Sequence, residues 1–151
     1  MIARVPLFVR LFLAVFLCGF PAPDWAGSCV IVTGGEPEGV LAALPTEAGA
    51  PFSLRFINSI YLAPVEETYI YDPAGGIMTV RVETPSAGVF EYYGLETDGT
   101  GVAVVRREAR EIRIRSADYM NHVLTVGKKA LRLKGLVPDG SPVTVKVGAC
   151  P

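Results

Sequence analysis

The chain has 151 residues, half of them apolar, and its 14 Lys+Arg against 15 Asp+Glu leave a net charge of −1. At this length folding buries about two-thirds of the unfolded surface, so one core and a single domain are expected. The balanced charge excludes a net-charge basis for binding nucleic acid or an anionic membrane surface.

The first residues set the compartment. Met1 to Arg10 carries Arg4 and Arg10 without an acid, Leu11 to Phe20 is an apolar run, and Pro21 to Ser28 breaks it with small residues. That is the layout of a secretory signal, with cleavage expected after Ser28 because Ala26 and Ser28 then occupy the minus-three and minus-one positions. A retained N-terminal anchor is the alternative, although the run is about half of the roughly 20 apolar residues a spanning helix needs. Residues 1–28 are thus read as signal peptide and 29–151 as one periplasmic or otherwise extracytoplasmic β-domain, with no stable membrane insertion of the mature chain.

Cleavage removes Arg4, Arg10, Asp24 and Cys18, leaving 12 basic and 14 acidic residues, a net charge of −2. Cys29 and Cys150 remain, one at each end of the mature chain. An even count in an oxidising compartment predicts a disulfide between them, with a lipoprotein modified at Cys29 as the alternative.

From Cys29 onward the apolar pattern has a period of two. Cys29 to Thr33 and Val40 to Leu44 read as short strands separated by Gly34, Gly35 and Pro37. Phe52, Leu54 and Phe56 alternate with Ser53 and Arg55, which puts three large side chains on one face. After the bend at Ala63-Pro64, residues 64–71 and 77–83 form a hairpin around Asp72-Pro73-Ala74-Gly75-Gly76. If Tyr71 and Ile77 face each other, Ile70 meets Met78, Tyr69 meets Thr79, Thr68 meets Val80 and Glu67 meets Arg81. In this reading Glu67 is structural, held by a cross-strand cation.

Pro85 to Gly88 reads as a loop leading to Phe90-Glu91-Tyr92-Tyr93. Val102 to Val105, Ile112 to Arg115, the hairpin Val123–Val126 with Ala130–Lys134, and Val143 to Val147 give further strands, the last delivering Cys150. Arg106 to Arg110 is the one stretch with the look of an amphipathic helix, Ser116 to Asn121 suits one helical turn, and no long helix is expected. Nine or ten short strands without βαβ spacing argue for an all-β fold, an antiparallel β-sandwich or partly open barrel.

Chemistry is sparse. The one histidine, His122, would need Ser59 or Asp118 beside it for nucleophilic work, and no nucleophile motif is present; the ordinary role of such a residue is a partly buried ring satisfied by a backbone group. Neither mature cysteine lies in a CxxC motif, so no metal site is expected, and Glu66 and Glu67, adjacent in a strand, point to opposite faces. The paired glycines lack a following helix, so turns rather than phosphate loops are expected, and no cofactor is implied. Arg106, Arg107, Arg110, Arg113 and Arg115 could form an anion-binding surface, but Glu108 and Glu111 interleave with them, so a solvated face laced with cross-strand pairs is the expectation. Tyr92 and Tyr93 suit a contact surface as well as packing; in a strand at least one ring faces solvent.

Four segments carry a likeness. Phe52-x-Leu54-x-Phe56-x-Asn58-Ser59-Ile60, Pro64-Val65-x-Glu67-x-Tyr69, Glu91-Tyr92-Tyr93 and Asn121-His122-x-Leu124 together resemble the bacterial and archaeal domain-of-unknown-function family 1850 over nearly the whole mature chain. The resemblance implies a small exported protein associated with tripartite ATP-independent periplasmic (TRAP) transporters of the TAXI type, and no known reaction. Asn58 stands where the family pattern usually has histidine, and an amide neither titrates near neutral pH nor ligates transition metals well. The expectation is therefore a non-enzymatic accessory or binding component whose partners are transporter subunits or a small solute. Asn58, Ser59, Glu67, Tyr92, Tyr93 and His122 are its candidate binding residues. A small extracytoplasmic enzyme using His122 is the alternative.

Overall fold

The computed structural model describes residues 27–35, 37–73 and 76–151. Residues 1–26 of the expected signal segment thus lie outside the described residues, while the expected cleavage point after Ser28 falls at the first residue of β1. In chain order the elements are β1 (Ser28–Gly34), β2 (Gly39–Thr46), β3 (Pro51–Ile57), β4 (Pro64–Asp72), β5 (Gly76–Glu83), α1 (Ala87–Tyr93), β6 (Val102–Ala109), β7 (Glu111–Ser116), one 3-10 turn (Asp118–Met120), β8 (Val123–Val126), β9 (Lys129–Arg132) and β10 (Ser141–Ala149).

These strands form two antiparallel sheets, a four-stranded one in the order β2-β1-β10-β7 and a six-stranded one in the order β6-β5-β4-β3-β8-β9. The chain is a β-sandwich, as the period of two predicts. β1 lies between β2 and β10 and is buried almost throughout, which fits its run of β-branched side chains. Cys29 of β1 is bonded to Cys150 just beyond β10, with Cα atoms 5.0 Å apart. Among the described residues no helix is long and apolar enough to cross a membrane.

Two apolar clusters hold the molecule together. Between the sheets, Val30, Val32, Val143 and Val145 meet Phe52, Leu54, Leu124 and Val126. Elsewhere on the larger sheet, Val65, Val82, Ala103 and Val105 are covered instead by Val89 and Phe90 of α1. Burying each of these last two side chains contributes about 1.5–3 kcal/mol, enough to hold a helix of two turns that would not persist alone.

α1 replaces the loop and strand predicted for residues 85–93. Ser86 caps its start, its Oγ accepting from the Val89 amide at 3.4 Å. Gly94, at φ 63°, ends it, with Gly94 N donating to Glu91 O at 3.0 Å and Leu95 N to Phe90 O at 2.9 Å. That pair of bonds is a Schellman closure, which needs a residue tolerant of the left-handed conformation. Propensity favoured a strand because Val, Phe and two tyrosines fill the segment; the two caps and the burial of Val89 and Phe90 outweigh it.

The hairpin also departs from its expected register. Tyr71↔Ile77, Ile70↔Met78 and Tyr69↔Thr79 pair as expected, but a bulge at Val80 takes up one residue. Thr68 therefore faces Arg81, and Glu67 faces Val82 rather than Arg81. Arg81 instead pairs with Glu83 on its own strand, at 3.0 Å. Arg106 to Ala109, with its helical look, continues β6, and the Arg113–Glu111 pair at 2.6 Å likewise lies within one strand rather than across two. A double-mutant cycle of Glu67→Gln and Arg81→Met should accordingly show coupling below about 0.5 kcal/mol, as for residues without shared partners. A coupling near 3 kcal/mol, the scale of a desolvated pair, would place Arg81 on the inner face after all.

Candidate functional site

The site grows from one anomaly in the larger sheet. Register places Leu124, Leu54, Glu67, Val82 and Ala103 in one row across β8, β3, β4, β5 and β6. The four apolar members are buried, and Glu67 is the charged residue among them. Val65 and Tyr69, two residues to either side, are buried too, so the strand period turns the Glu67 carboxylate inward. It sits where the two apolar clusters meet.

Its partners are phenols. The Tyr69 hydroxyl donates to Glu67 Oε2, and Tyr93, from the last turn of α1, adds a second hydroxyl. The side-chain amide of Asn58 bonds Tyr93 in turn. Burial, then the negative charge of Glu67, then the hydrogen bond to it push both phenols far above the ordinary tyrosine range. Both therefore remain protonated donors at any physiological pH. Among the described residues Glu67 has no salt-bridge partner.

Asn58 ends β3 and shapes the next turn. Its Oδ1 accepts from Ile60 N and Tyr61 N, each at 3.0 Å, while its backbone exchanges bonds with Ala63 and Leu62. This is an Asx turn, which an amide side chain makes readily. It holds Leu62 at φ 51°, a strained value for a leucine. Asn58 thus both fixes the loop and touches the site; Ser59 is exposed within the loop.

A cavity of about 550 Å³ opens beside this cluster, lined by Glu67, Thr79, Val82, Tyr92, Tyr93, Val105 and Arg107. The rings of Tyr92 and Tyr93 stand 5.9 Å apart at 49°. Tyr92 is 61% exposed and Tyr93 half-buried, so one ring of the pair faces solvent, though on a helix rather than a strand. Arg107 Nη2 donates to the Tyr93 carbonyl at 2.7 Å, where the last carbonyls of α1 want donors. Glu66 points the other way, into a separate recess shared with Arg55 and Glu83.

His122 stands apart from this cavity. Its ring stacks on Phe56, centroids 5.4 Å apart, and is 5% exposed. The backbone carbonyl accepts from Leu133 N at 3.0 Å, but Nδ1 has no hydrogen-bond partner among the described residues, so the expected backbone satisfaction of the ring is not found. Neither Ser59 nor Asp118 bonds it; Asp118 is held by Lys134 at 3.1 Å. Burial pushes the imidazole below its ordinary value. The folded protein then resists a proton that the unfolded chain accepts near pH 6.5, so stability falls as pH drops below that value. Urea midpoints from pH 7.5 to pH 5 should decline more steeply for the natural chain than for His122→Gln; parallel profiles would show that the ring is not desolvated.

Asn58, Glu67, Tyr92 and Tyr93 are thus brought together, whereas Ser59 and His122 are not. The sequence reading missed Tyr69, Thr79 and Arg107. For Tyr69 a signal existed: Val65, Glu67 and Tyr69 alternate, and two buried flanks imply an inward carboxylate in need of donors. Arg107 was weighed only as one of five arginines on a candidate anion-binding face; that it lines this cavity depends on where α1 ends. Among the described residues no three His, Cys, Asp or Glu side chains gather as a metal cage. No family model, curated protein or solved structure matches the chain.

Proposed function

We propose that the protein is an exported, non-enzymatic binding domain that works as an accessory of a TRAP-type uptake system of the TAXI class, holding a small solute or a transporter segment in the cavity beneath α1. The observation that carries the binding reading is the inward Glu67 carboxylate, set by two phenols and without a salt-bridge partner among the described residues, opening into a cavity walled by an exposed tyrosine. Concave sites with an apolar lining and a few fixed polar groups are the usual form of small-molecule pockets. Support for export comes from the signal layout of residues 1–28 and from the Cys29–Cys150 bond, which suits an oxidising compartment. The transporter association rests on the resemblance carried by residues 52–69, 91–93 and 121–124.

The test is uptake by cells carrying Tyr92→Ala, together with a pull-down of tagged mature protein from native membranes. An exposed tyrosine adds little to folding, but at the centre of an interface its loss costs about 2 kcal/mol, roughly thirtyfold in affinity. Uptake should fall while the melting temperature stays within about 1 °C of the natural protein. Normal uptake by the variant would overturn this reading.

A further inference from the structure

The cavity is bipolar. Glu67 contributes a carboxylate and Arg107 a guanidinium to the same lining, yet the two form no salt bridge with each other. The carboxylate is occupied by neutral phenols, and the guanidinium donates to the neutral carbonyl of Tyr93. Two opposite charges thus face one space of about 550 Å³, within the usual size of small-ligand pockets, about 300–1,000 Å³.

A simple anion entering this space would meet the buried side of Glu67, and a simple cation would meet Arg107. A ligand with both charges satisfies both walls. An ammonium group suits Glu67 doubly, because it supplies the donors that a carboxylate flanked only by phenols still accepts and can lie against the tyrosine rings. A ligand carboxylate suits the forked donors of arginine. Val82, Val105 and the Tyr92 ring add apolar surface to the same lining.

Resting on the reading of this cavity as the binding site, we infer that its ligand is a free α-amino acid with an apolar side chain, the ammonium seated on Glu67 and the carboxylate on Arg107. Recognition of this kind draws on both charges, so the losses on removing either should be large and of similar size.

Titration calorimetry of the disulfide-bonded mature protein with three probes of nearly the same shape tests it: L-leucine, isoamylamine, which lacks the carboxylate, and isocaproate, which lacks the amine. Leucine should bind, and each singly charged probe should bind about tenfold or more weakly than leucine. Glu67→Gln, which keeps an acceptor for both phenols, and Arg107→Met should each weaken leucine by about tenfold, with circular dichroism confirming the fold of both. Isoamylamine binding as tightly as leucine, isocaproate doing so, or no heat from any probe would overturn the inference. The uptake measurement separates the two levels. Impaired uptake by Tyr92→Ala without leucine binding would leave the cavity a binding site for another class of ligand, whereas normal uptake without leucine binding would remove both readings.

Discussion

Breaking the Cys29–Cys150 bond should cost the folded protein about 4–5 kcal/mol, on the loop-entropy view of disulfides. The bond spans 121 positions, so it ties nearly all of residues 29–151 into one loop and removes much of the freedom of the unfolded state. It also fastens the end of β10 to β1, strands that pair from Ser28↔Ala149 to Gly34↔Val143 in the smaller sheet. A Cys29→Ala, Cys150→Ala double variant should show a lower urea midpoint and a steeper dependence on urea, because the uncrosslinked unfolded chain exposes more surface. Intact mass of the exported natural protein should show no free thiol and no lipid adduct. A loss below about 1 kcal/mol would mean that the unfolded chain already holds its ends together, and that strand pairing alone secures the terminus.

How far the sequence reached can be seen in particular elements. Strand positions followed from the period of two wherever a β-branched or aromatic residue marked every second place, as at Phe52, Leu54 and Phe56, where register and burial agree with the pattern. The β4–β5 hairpin was legible for three pairs beyond its loop and no further. Ile77 and Val82, both buried, are five residues apart and share the inner face only because of the bulge at Val80. In Ile77-Met78-Thr79-Val80-Arg81-Val82 the apolar residues fall on both alternating phases, so nothing local marks such an insertion. α1 was legible in its boundaries, Ser86 and Gly94, rather than in its composition; the caps are one-residue signals that a strand-forming interior masks.

The site was legible to the extent that it follows from strand phase. Val65, Glu67 and Tyr69 share a face by simple alternation, and the inward carboxylate is a consequence. What joins it to Asn58, Tyr93 and Arg107 is tertiary. Asn58 reaches the cluster because the turn after β3 folds back on it, and Tyr93 because α1 lies over the sheet. His122 illustrates the converse. A lone histidine draws attention as possible chemistry, yet its ring packs on Phe56 and its burial favours the neutral form.

The Tyr69–Glu67 contact gives the second large effect. Tyr69 is 2% exposed, and its ring stacks on Phe52 with centroids 5.2 Å apart, so Tyr69→Ala removes a core aromatic and should cost about 3–5 kcal/mol. Tyr69→Phe keeps the ring and removes the hydroxyl that donates to Glu67. A hydrogen bond to a charged group contributes about 1.5–3 kcal/mol, and the loss is felt in full because the inward carboxylate is left with Tyr93 as its remaining donor. The same substitution made in a Glu67→Leu background should cost less than about 0.5 kcal/mol, since a hydroxyl without a charged acceptor has little left to lose. Chemical denaturation of the four proteins in the cycle measures the difference directly. If Tyr69→Phe costs the same with and without the carboxylate, the hydroxyl does not stabilise Glu67, and the inward charge must be held by Tyr93 alone.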